Sequence, residues 1–406
     1  MRVLQLCPKV PWPPDDGGRV AMRVLGLSLR EAGADVRALS LNPRKHRVDV
    51  AELPEEARPL RLEAVDHDTS VTAAGALRSL LAGTSYNVER FRSAAFEARL
   101  AAVVASFEPD VVLLESLYMV PFLPAVRRAT AAPVVLRSVN VEHEIWEGLA
   151  GNARSALLRA YFRRLATRLR AYELGTMNDV DAILAVTEED AATYGRLGAE
   201  VPLHVAPVGM KASDWPDLSG RGERGTIVFL GSLDWRPNLE AVRWFIGEAW
   251  PFVRAAHPGA RLLIAGSNAP ARLVASGRRE GVGFLGHVDD VRRFLASGTA
   301  MVAPVLSGGG VRVKILEAMA LGVPVVSTRL GAAGIAVREG SEILLADSPR
   351  DLADAGAALR GDPERATGLG RAGRSKILAL CDADRIAREV LGFLGGLTGA
   401  REQRHH

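Results

Sequence analysis

Short apolar stretches, each the length of a buried strand, recur along this chain with segments of helical period between them. In the first half they fall at residues 2–7, 35–41, 109–115, 133–139, 181–187 and 201–207; in the second, at 226–231, 261–265, 283–285, 300–304 and 325–328. Parallel strands cannot be joined by a tight turn and need a crossover, usually a helix. The alternation therefore predicts an α/β chain with parallel sheets. At 406 residues there is room for two ordinary cores. Residues 211–225, KASDWPDLSGRGERG, are polar, with one proline and three glycines, and are the expected linker between domains at 1–210 and 226–381. A last helix is expected over 382–397. In a doubly wound unit ligands bind at the carboxyl ends of the strands. The loop after the first strand ends in Gly17-Gly18 and feeds a helix expected over 19–31. Those glycines read either as a plain tight turn or as a place where backbone approaches a ligand.

The stretch with most chemistry in it is 307–334, SGGGVRVKILEAMALGVPVVSTRLGAAG. Three glycines, Gly308, Gly309 and Gly310, lead into a helix in which Val313, Leu316 and Ala320 share one face while Lys314 and Glu317 lie on another. Gly322-Val323-Pro324 ends it. Glycines let backbone N–H groups come close to a ligand, and unpaired amides at a helix start favour an anion. Arg312 and Lys314 add two full charges, and charge-assisted hydrogen bonds are worth about 1.5–3 kcal/mol each. The carboxylate of Glu317 repels phosphate but accepts hydrogen bonds from paired hydroxyls such as those of a ribose. Cations for a diphosphate beside an acceptor for a ribose suggest a nucleotide-sugar site. The other reading is a solvated charged helix face, which has no need of a triple-glycine lead.

This stretch resembles the signature of the family-4 retaining glycosyltransferases, in which a Glu, seven residues and a second Glu run into an EAMA-x-G-x-PVV segment. Here the second Glu is Glu317, in EAMALGVPVV, and Gly309 stands where the first would be. The version with GG-x-R-x-K before the second Glu is the one this chain fits. The likeness extends from PWPPDDGGRV near the start through GSLDWRPNLEAVRWF to the signature. It implies the GT-B fold: two Rossmann-like domains facing each other across a cleft, the last helix returning to the first domain.

The resemblance also assigns roles. The first domain is expected to take a saccharide or lipid-linked acceptor and the second the nucleotide-diphosphate sugar, with Gly17, Gly18, Gly231 and Ser232 near the donor. His287 and Val288 fall where relatives read the base through backbone groups, which leaves the base open. Relatives often carry Arg at the position of Ser232 and a Lys a few residues on, so Arg312 and Lys314 are expected to neutralise the diphosphate in their place. Many relatives place a His at the position of Val139; His143, four residues on, is the substitute to weigh, against an ordinary helix-start histidine. Asn140 and Glu142 are candidates on the acceptor side. The implied reaction is front-face transfer with retention, in which no metal or cofactor takes part. Asp66-His67-Asp68 spells the Asp-x-Asp of metal-dependent transferases but is expected in a loop of the first half.

Composition narrows the remainder. Hydrophobic residues make up 48% and charged residues 24%, a globular balance. No apolar run reaches the ~20 residues of a membrane helix. A net charge of +4 and an isoelectric point near 9.3 suit a nucleotide sugar or an anionic lipid surface, and without a nucleic-acid motif they are too small to imply nucleic-acid binding. Cys7 and Cys381 are expected as free thiols in a reducing compartment, hence a cytoplasmic protein, at the inner face of a membrane if lipid-linked acceptors are used. From Arg154 to Tyr172 the residues Leu157, Leu158, Tyr161, Leu165, Leu169 and Tyr172 recur at helical spacing among Arg159, Arg163, Arg164, Arg168 and Arg170. That pattern suits a helix on an anionic membrane, and equally one packed on its own domain with arginines in water. Two further functions stand beside glycosyl transfer: a sugar-nucleotide epimerase, which shares two such domains, and a non-catalytic sugar-nucleotide-binding partner in polysaccharide assembly, which the departures at Val139 and Gly309 keep open.

Overall fold

The structure is a computed structural model, and it describes all residues except 73, 76, 77, 80–83, 154, 278–280 and 403–406. The chain divides into two compact units. One comprises Met1–Gly209 and the C-terminal segment from Ala383; the other is Met210–Asp382.

The first unit holds seven parallel strands: β1 (Arg2–Cys7), β2 (Asp35–Pro43), β3 (Glu63–His67), β4 (Val111–Glu115), β5 (Val134–Ser138), β6 (Ala182–Ala185) and β7 (Leu203–Val205), in the order β3-β2-β1-β4-β5-β6-β7. The central strands are apolar on both faces because helices cover both. Among them Gln5, Glu115 and Arg137 form a buried polar group: Gln5 Nε2 donates to Glu115 Oε1 at 2.6 Å, and Arg137 Nη1 to Glu115 Oε2 at 3.1 Å and to the Ala21 carbonyl at 3.0 Å. The helix Gly17–Glu31 is capped by Asp16, whose carboxylate accepts from the Arg19 amide. Against it packs the C-terminal helix Ala383–Glu402, which buries Ile386, Ala387, Val390 and Leu394 among Leu25, Leu29 and Val36.

The second unit holds six parallel strands: β8 (Glu223–Leu230), β9 (Arg261–Ala265), β10 (Val282–Gly286), β11 (Gly298–Ala303), β12 (Val325–Ser327) and β13 (Leu344–Leu345), in the order β10-β9-β8-β11-β12-β13. From β8 the chain steps outward to β9 and β10, then returns to the other side of β8 and steps outward again. The crevice beyond the carboxyl ends of β8 and β11 is thus a topological switch point, where ligands of such sheets bind. In the first unit the corresponding point lies between β1 and β4.

Several expectations shift. Strand β3 was hidden by its composition: EAVDH is half exposed at a sheet edge, and this strand includes Asp66 and His67, which were expected in a loop. Residues 211–225 belong to the second unit, where the Leu218 amide donates to the Leu321 carbonyl and Glu223 already begins β8. The helix expected over 237–250 runs from Arg236 to Ala256 through a π turn at Phe245–Ala249, just before Pro251, whose missing N–H breaks the regular ladder. The helix expected over Arg154–Tyr172 is Ala156–Thr176, four residues longer at its end and preceded by a separate helix, Glu142–Asn152; Arg154 lies outside the described residues. Gly17 and Gly18 open the first helix instead of ending the loop before it.

Candidate functional site

In the second unit, β8 gives way to Gly231 and β11 to the loop leading into the helix Val313–Ala320. Gly231 has φ of 151°, and a side chain there would lie 2.8 Å from Asn238 Nδ2 and 3.0 Å from Lys314 Nζ. Hence the Gly231 backbone, the start of the helix Arg236–Trp244 and the Lys314 ammonium meet at one point. Asn238 ties them together: its Nδ2 donates to the Ser232 carbonyl at 2.9 Å, and its Oδ1 accepts from Lys314 Nζ at 2.8 Å. The ammonium also sits 4.4 Å from the centre of the Phe229 ring. Burial, followed by repulsion from Arg312, pushes the Lys314 pKa down to about 7, with Glu317 pulling the other way.

Arg312 stands just before the helix and folds back over the glycine loop. Its guanidinium donates to the carbonyls of Gly308, Gly309 and Gly310. Burial lowers the Arg312 pKa to about 10, so the group keeps its charge at neutral pH. Ser307 Oγ donates to Glu240 Oε2 at 2.6 Å and anchors the loop to the neighbouring helix. Glu317 is half-buried one turn beyond Lys314. Ser232 turns its hydroxyl to Asp234 Oδ1, at 2.6 Å.

The structure thus brings Gly231, Ser232, Gly308, Gly309, Gly310, Arg312, Lys314 and Glu317 to one edge of one sheet. Asn238, Glu240 and Ser307 join them; sequence reasoning missed these, although Asn238 and Glu240 lie inside the quoted GSLDWRPNLEAVRWF. His287 and Val288 follow β10 at the same edge, two strands from β8, with His287 exposed.

In the first unit, Asn140, Glu142 and His143 follow β5 and form a buried cluster. His143 Nδ1 lies 2.7 Å from Glu173 Oε2, and Tyr194 donates to Glu173 Oε1 at 2.6 Å. Glu142 accepts from the Tyr118 hydroxyl at 2.9 Å and from Asn140 Nδ2 at 3.3 Å. Burial, reinforced by the charge of Glu173, lifts the Glu142 pKa to about 7. The reading of His143 as an ordinary surface histidine does not fit: it is 3% exposed and a partner of Glu173. Gly17 and Gly18 lie at the carboxyl end of β1, beside the switch point of that sheet. Asp66 accepts from Asn42 and Arg47, Asp68 from the Ser70 amide, and His67 Nε2 lies 2.9 Å from the Arg90 carbonyl, so the three do not converge. Among the described residues no three His, Cys, Asp or Glu side chains are grouped so as to hold a metal ion.

Residues 224–362 match the family model described as Glycosyl transferases group 1. Among curated relatives, a phosphatidyl-myo-inositol mannosyltransferase of Propionibacterium freudenreichii is 33% identical over 161 residues, 38% of this chain and 39% of that protein. A GDP-mannose-dependent alpha-(1-6)-phosphatidylinositol monomannoside mannosyltransferase of Mycobacterium tuberculosis is 27% identical over 334 residues, 75% of this chain and 80% of that one. The chain spans less than two thirds of the length of the first curated relatives it matches. Among solved structures, sucrose-phosphate synthase of Thermosynechococcus elongatus superposes with a TM-score of 0.73 at 17% identity, over 98% of this chain and 100% of that one. That likeness is one of fold, and the fold is GT-B.

Proposed function

We propose that the protein is a retaining glycosyltransferase that moves a sugar from a nucleotide-diphosphate sugar to a hydroxyl of a saccharide or lipid-linked acceptor in bacterial polysaccharide or glycolipid synthesis. One observation carries the reading: Lys314, Asn238 and Gly231 meet at the switch point of a sheet that matches a glycosyltransferase model, with Gly308 of the glycine loop beside Pro237. The second unit would hold the donor, its diphosphate against Lys314, the loop amides and Arg312, its ribose on Glu317, and its base near His287 and Val288. The first unit would hold the acceptor, with Asn140 and Glu142 on the acceptor side, His143 as the candidate catalytic histidine, and Gly17 and Gly18 as the first unit's donor-binding candidates. The acceptor oxygen bonds to the anomeric carbon as the bond to the diphosphate oxygen breaks on the same face. The acceptor proton passes to the departing phosphate. The residues' work is then electrostatic: fixed amides and cations meet charge as it forms on the leaving group.

The test is donor binding and turnover in Arg312→Ala/Lys314→Ala, after a thermal-shift screen of nucleoside diphosphates has identified the base. At a fixed concentration a bound nucleotide raises the midpoint with the logarithm of its affinity. Turnover should drop about 10²–10³-fold or more; unchanged binding and turnover would remove the assignment. Appearance of an isomerised sugar nucleotide without acceptor would favour the epimerase, and tight donor binding with neither hydrolysis nor transfer the non-catalytic partner. Retention is read from the anomeric configuration of the product.

Acceptor chemistry ties in with the helix Ala156–Thr176. Its inward face is Phe162, Ala166, Leu169 and Glu173, so the apolar stripe read from the sequence splits. Leu169 is buried, whereas Leu157, Leu158 and Tyr161 are 81%, 41% and 53% exposed, beside the exposed Arg163, Arg164 and Arg170. Exposed apolar side chains flanked by arginines fit the boundary of an anionic bilayer, at the cytoplasmic face. Co-sedimentation with phosphatidylglycerol vesicles, but not phosphatidylcholine vesicles, should fall in Leu157→Ser/Leu158→Ser/Tyr161→Ser; equal binding by variant and parent would exclude this helix. No helix among the described residues is long and apolar enough to cross a membrane.

A further inference from the structure

The opposite end of the second sheet carries a cavity of about 320 Å³, at the amino ends of β8, β11 and β12. Strand β8 has eight residues, so this cavity lies about 25 Å along the sheet from the Gly231 loop. It belongs to no part of the donor arrangement described above. Its walls are aliphatic where Leu218, Val323 and Leu359 face it, and backbone where Gly222 and Gly298 run so close that a side chain on Gly222 would overlap the Gly298 carbonyl.

Two cations and two hydroxyls line this space. Arg224 lies on the exposed start of β8, and Arg360 at the end of the helix Pro349–Gly361. Arg360 Nη1 is buried and has no hydrogen-bond partner. A guanidinium N–H withdrawn from water with nothing to bond is costly, more so than a neutral donor. Arg360 also borders a second, smaller cavity of about 20 Å³ that reaches His257, whose Nε2 is buried and unpartnered too. Thr299 donates its hydroxyl proton to the Glu223 carbonyl at 2.8 Å, and Thr367 to the Pro363 carbonyl at 2.8 Å. With those protons committed, both oxygens offer lone pairs to the cavity and so select a hydrogen-bond donor.

We propose that this cavity binds a small hydroxylated organic phosphate, its phosphate on Arg360 and Arg224 and its hydroxyls on Thr299 and Thr367. Arg360 supplies the planar fork that suits phosphate, the aliphatic wall takes the carbon skeleton, and the volume suits a molecule of a few carbons with one phosphate. Gly322, Val323 and Pro324 in the wall form the turn that closes the helix carrying Lys314 and Glu317, so an occupant touches the far end of that helix. The inference stands independently of the transferase reading.

The full-length protein is titrated calorimetrically with glycerol 3-phosphate, ribose 5-phosphate and fructose 6-phosphate, with fructose and inorganic phosphate as the neutral and bare-anion arms. At least one organic phosphate should bind, more tightly than inorganic phosphate, and fructose should not. Arg360→Gln should weaken that binding about tenfold or more, while Arg312→Ala/Lys314→Ala should leave it intact. In the unmodified protein the ligand should slow amide hydrogen exchange at residues 218–224 and 359–367, a readout that holds even if Arg360→Gln folds poorly. The proposal is overturned if none of the three phosphates binds, if inorganic phosphate binds as tightly, if binding follows Arg312 and Lys314 instead of Arg360, or if protection appears only at residues 307–314.

Discussion

At the scale of residues, the two candidate clusters hold charge in opposite ways. Lys314 has its folded pKa pushed to about 7, below the 10.5 of a free lysine. Below pH 7 both folded and unfolded chains carry the proton, and the fold bears the cost of burying it; between 7 and 10.5 only the unfolded chain binds it. Stability from this residue therefore grows as pH rises through that window. Lys314→Met should stabilise the unliganded protein by at least about 1 kcal/mol at about pH 6, an allowance made for partial exposure, and by less at about pH 9, as measured by urea denaturation. Binding of a nucleoside diphosphate should run the other way, because the anion needs the ammonium: affinity falls by up to about tenfold per unit above neutral pH, and Lys314→Ala flattens the profile. Glu142 has a pKa raised to about 7 against an ordinary 4.5. The folded state then holds a proton the unfolded state releases, so stability is lost as pH rises from 4.5 to 7. Glu142→Gln should be about 1–3 kcal/mol more stable than the parent above neutral pH and nearly equal to it near pH 4.5.

Legibility at this scale was uneven. Arg312, Lys314 and Glu317 were visible because they sit within seven residues of a triple glycine, a local pattern. Asn238, which clamps Lys314 to the Ser232 backbone, lies 76 positions away from it, and no short-range spacing could join the two. His143 was misplaced for a similar reason: its partner Glu173 is 30 residues on, and only the packing of two helices turns a helix-start histidine into a buried one.

At the scale of elements, three glycines follow three adjacent strands: Gly231 after β8, Gly266 after β9 and Gly286 closing β10, each with positive φ. A side chain on Gly266 would overlap the Gly231 carbonyl. Gly266→Ala should thus displace the Gly231 loop, lowering both the thermal midpoint and nucleotide affinity, whereas Gly247→Ala, on an open face of its helix, should change neither. Elements with apolar runs were read to within a few residues, since burial on both faces writes itself into composition. Edge elements were not: β3 is polar and half exposed, and β13 has only two residues. The apolar positions of the helix Ala156–Thr176 were read correctly as a period, but a period cannot say which of its turns meets a neighbour.

At the scale of the whole molecule, two doubly wound sheets follow from the strand and helix alternation, and the GT-B class follows from motifs spread over most of the chain. Transfer activity should survive EDTA if charge on the leaving group is met by Lys314, Arg312 and the loop amides; a loss restored by manganese would reassign that work. The closing helix Ala383–Glu402 completes the core of the opening unit, and Leu394→Ala there should cost about 2–4 kcal/mol in the denaturant transition of that unit. During synthesis this arrangement imposes an order. The opening unit emerges first, yet four of its core side chains, Ile386, Ala387, Val390 and Leu394, are made only after the whole intervening unit. The middle of the chain is thus free to fold on the ribosome before its beginning can finish, and a message cut short near codon 382 would yield a complete second unit and an opening unit with bare apolar surface.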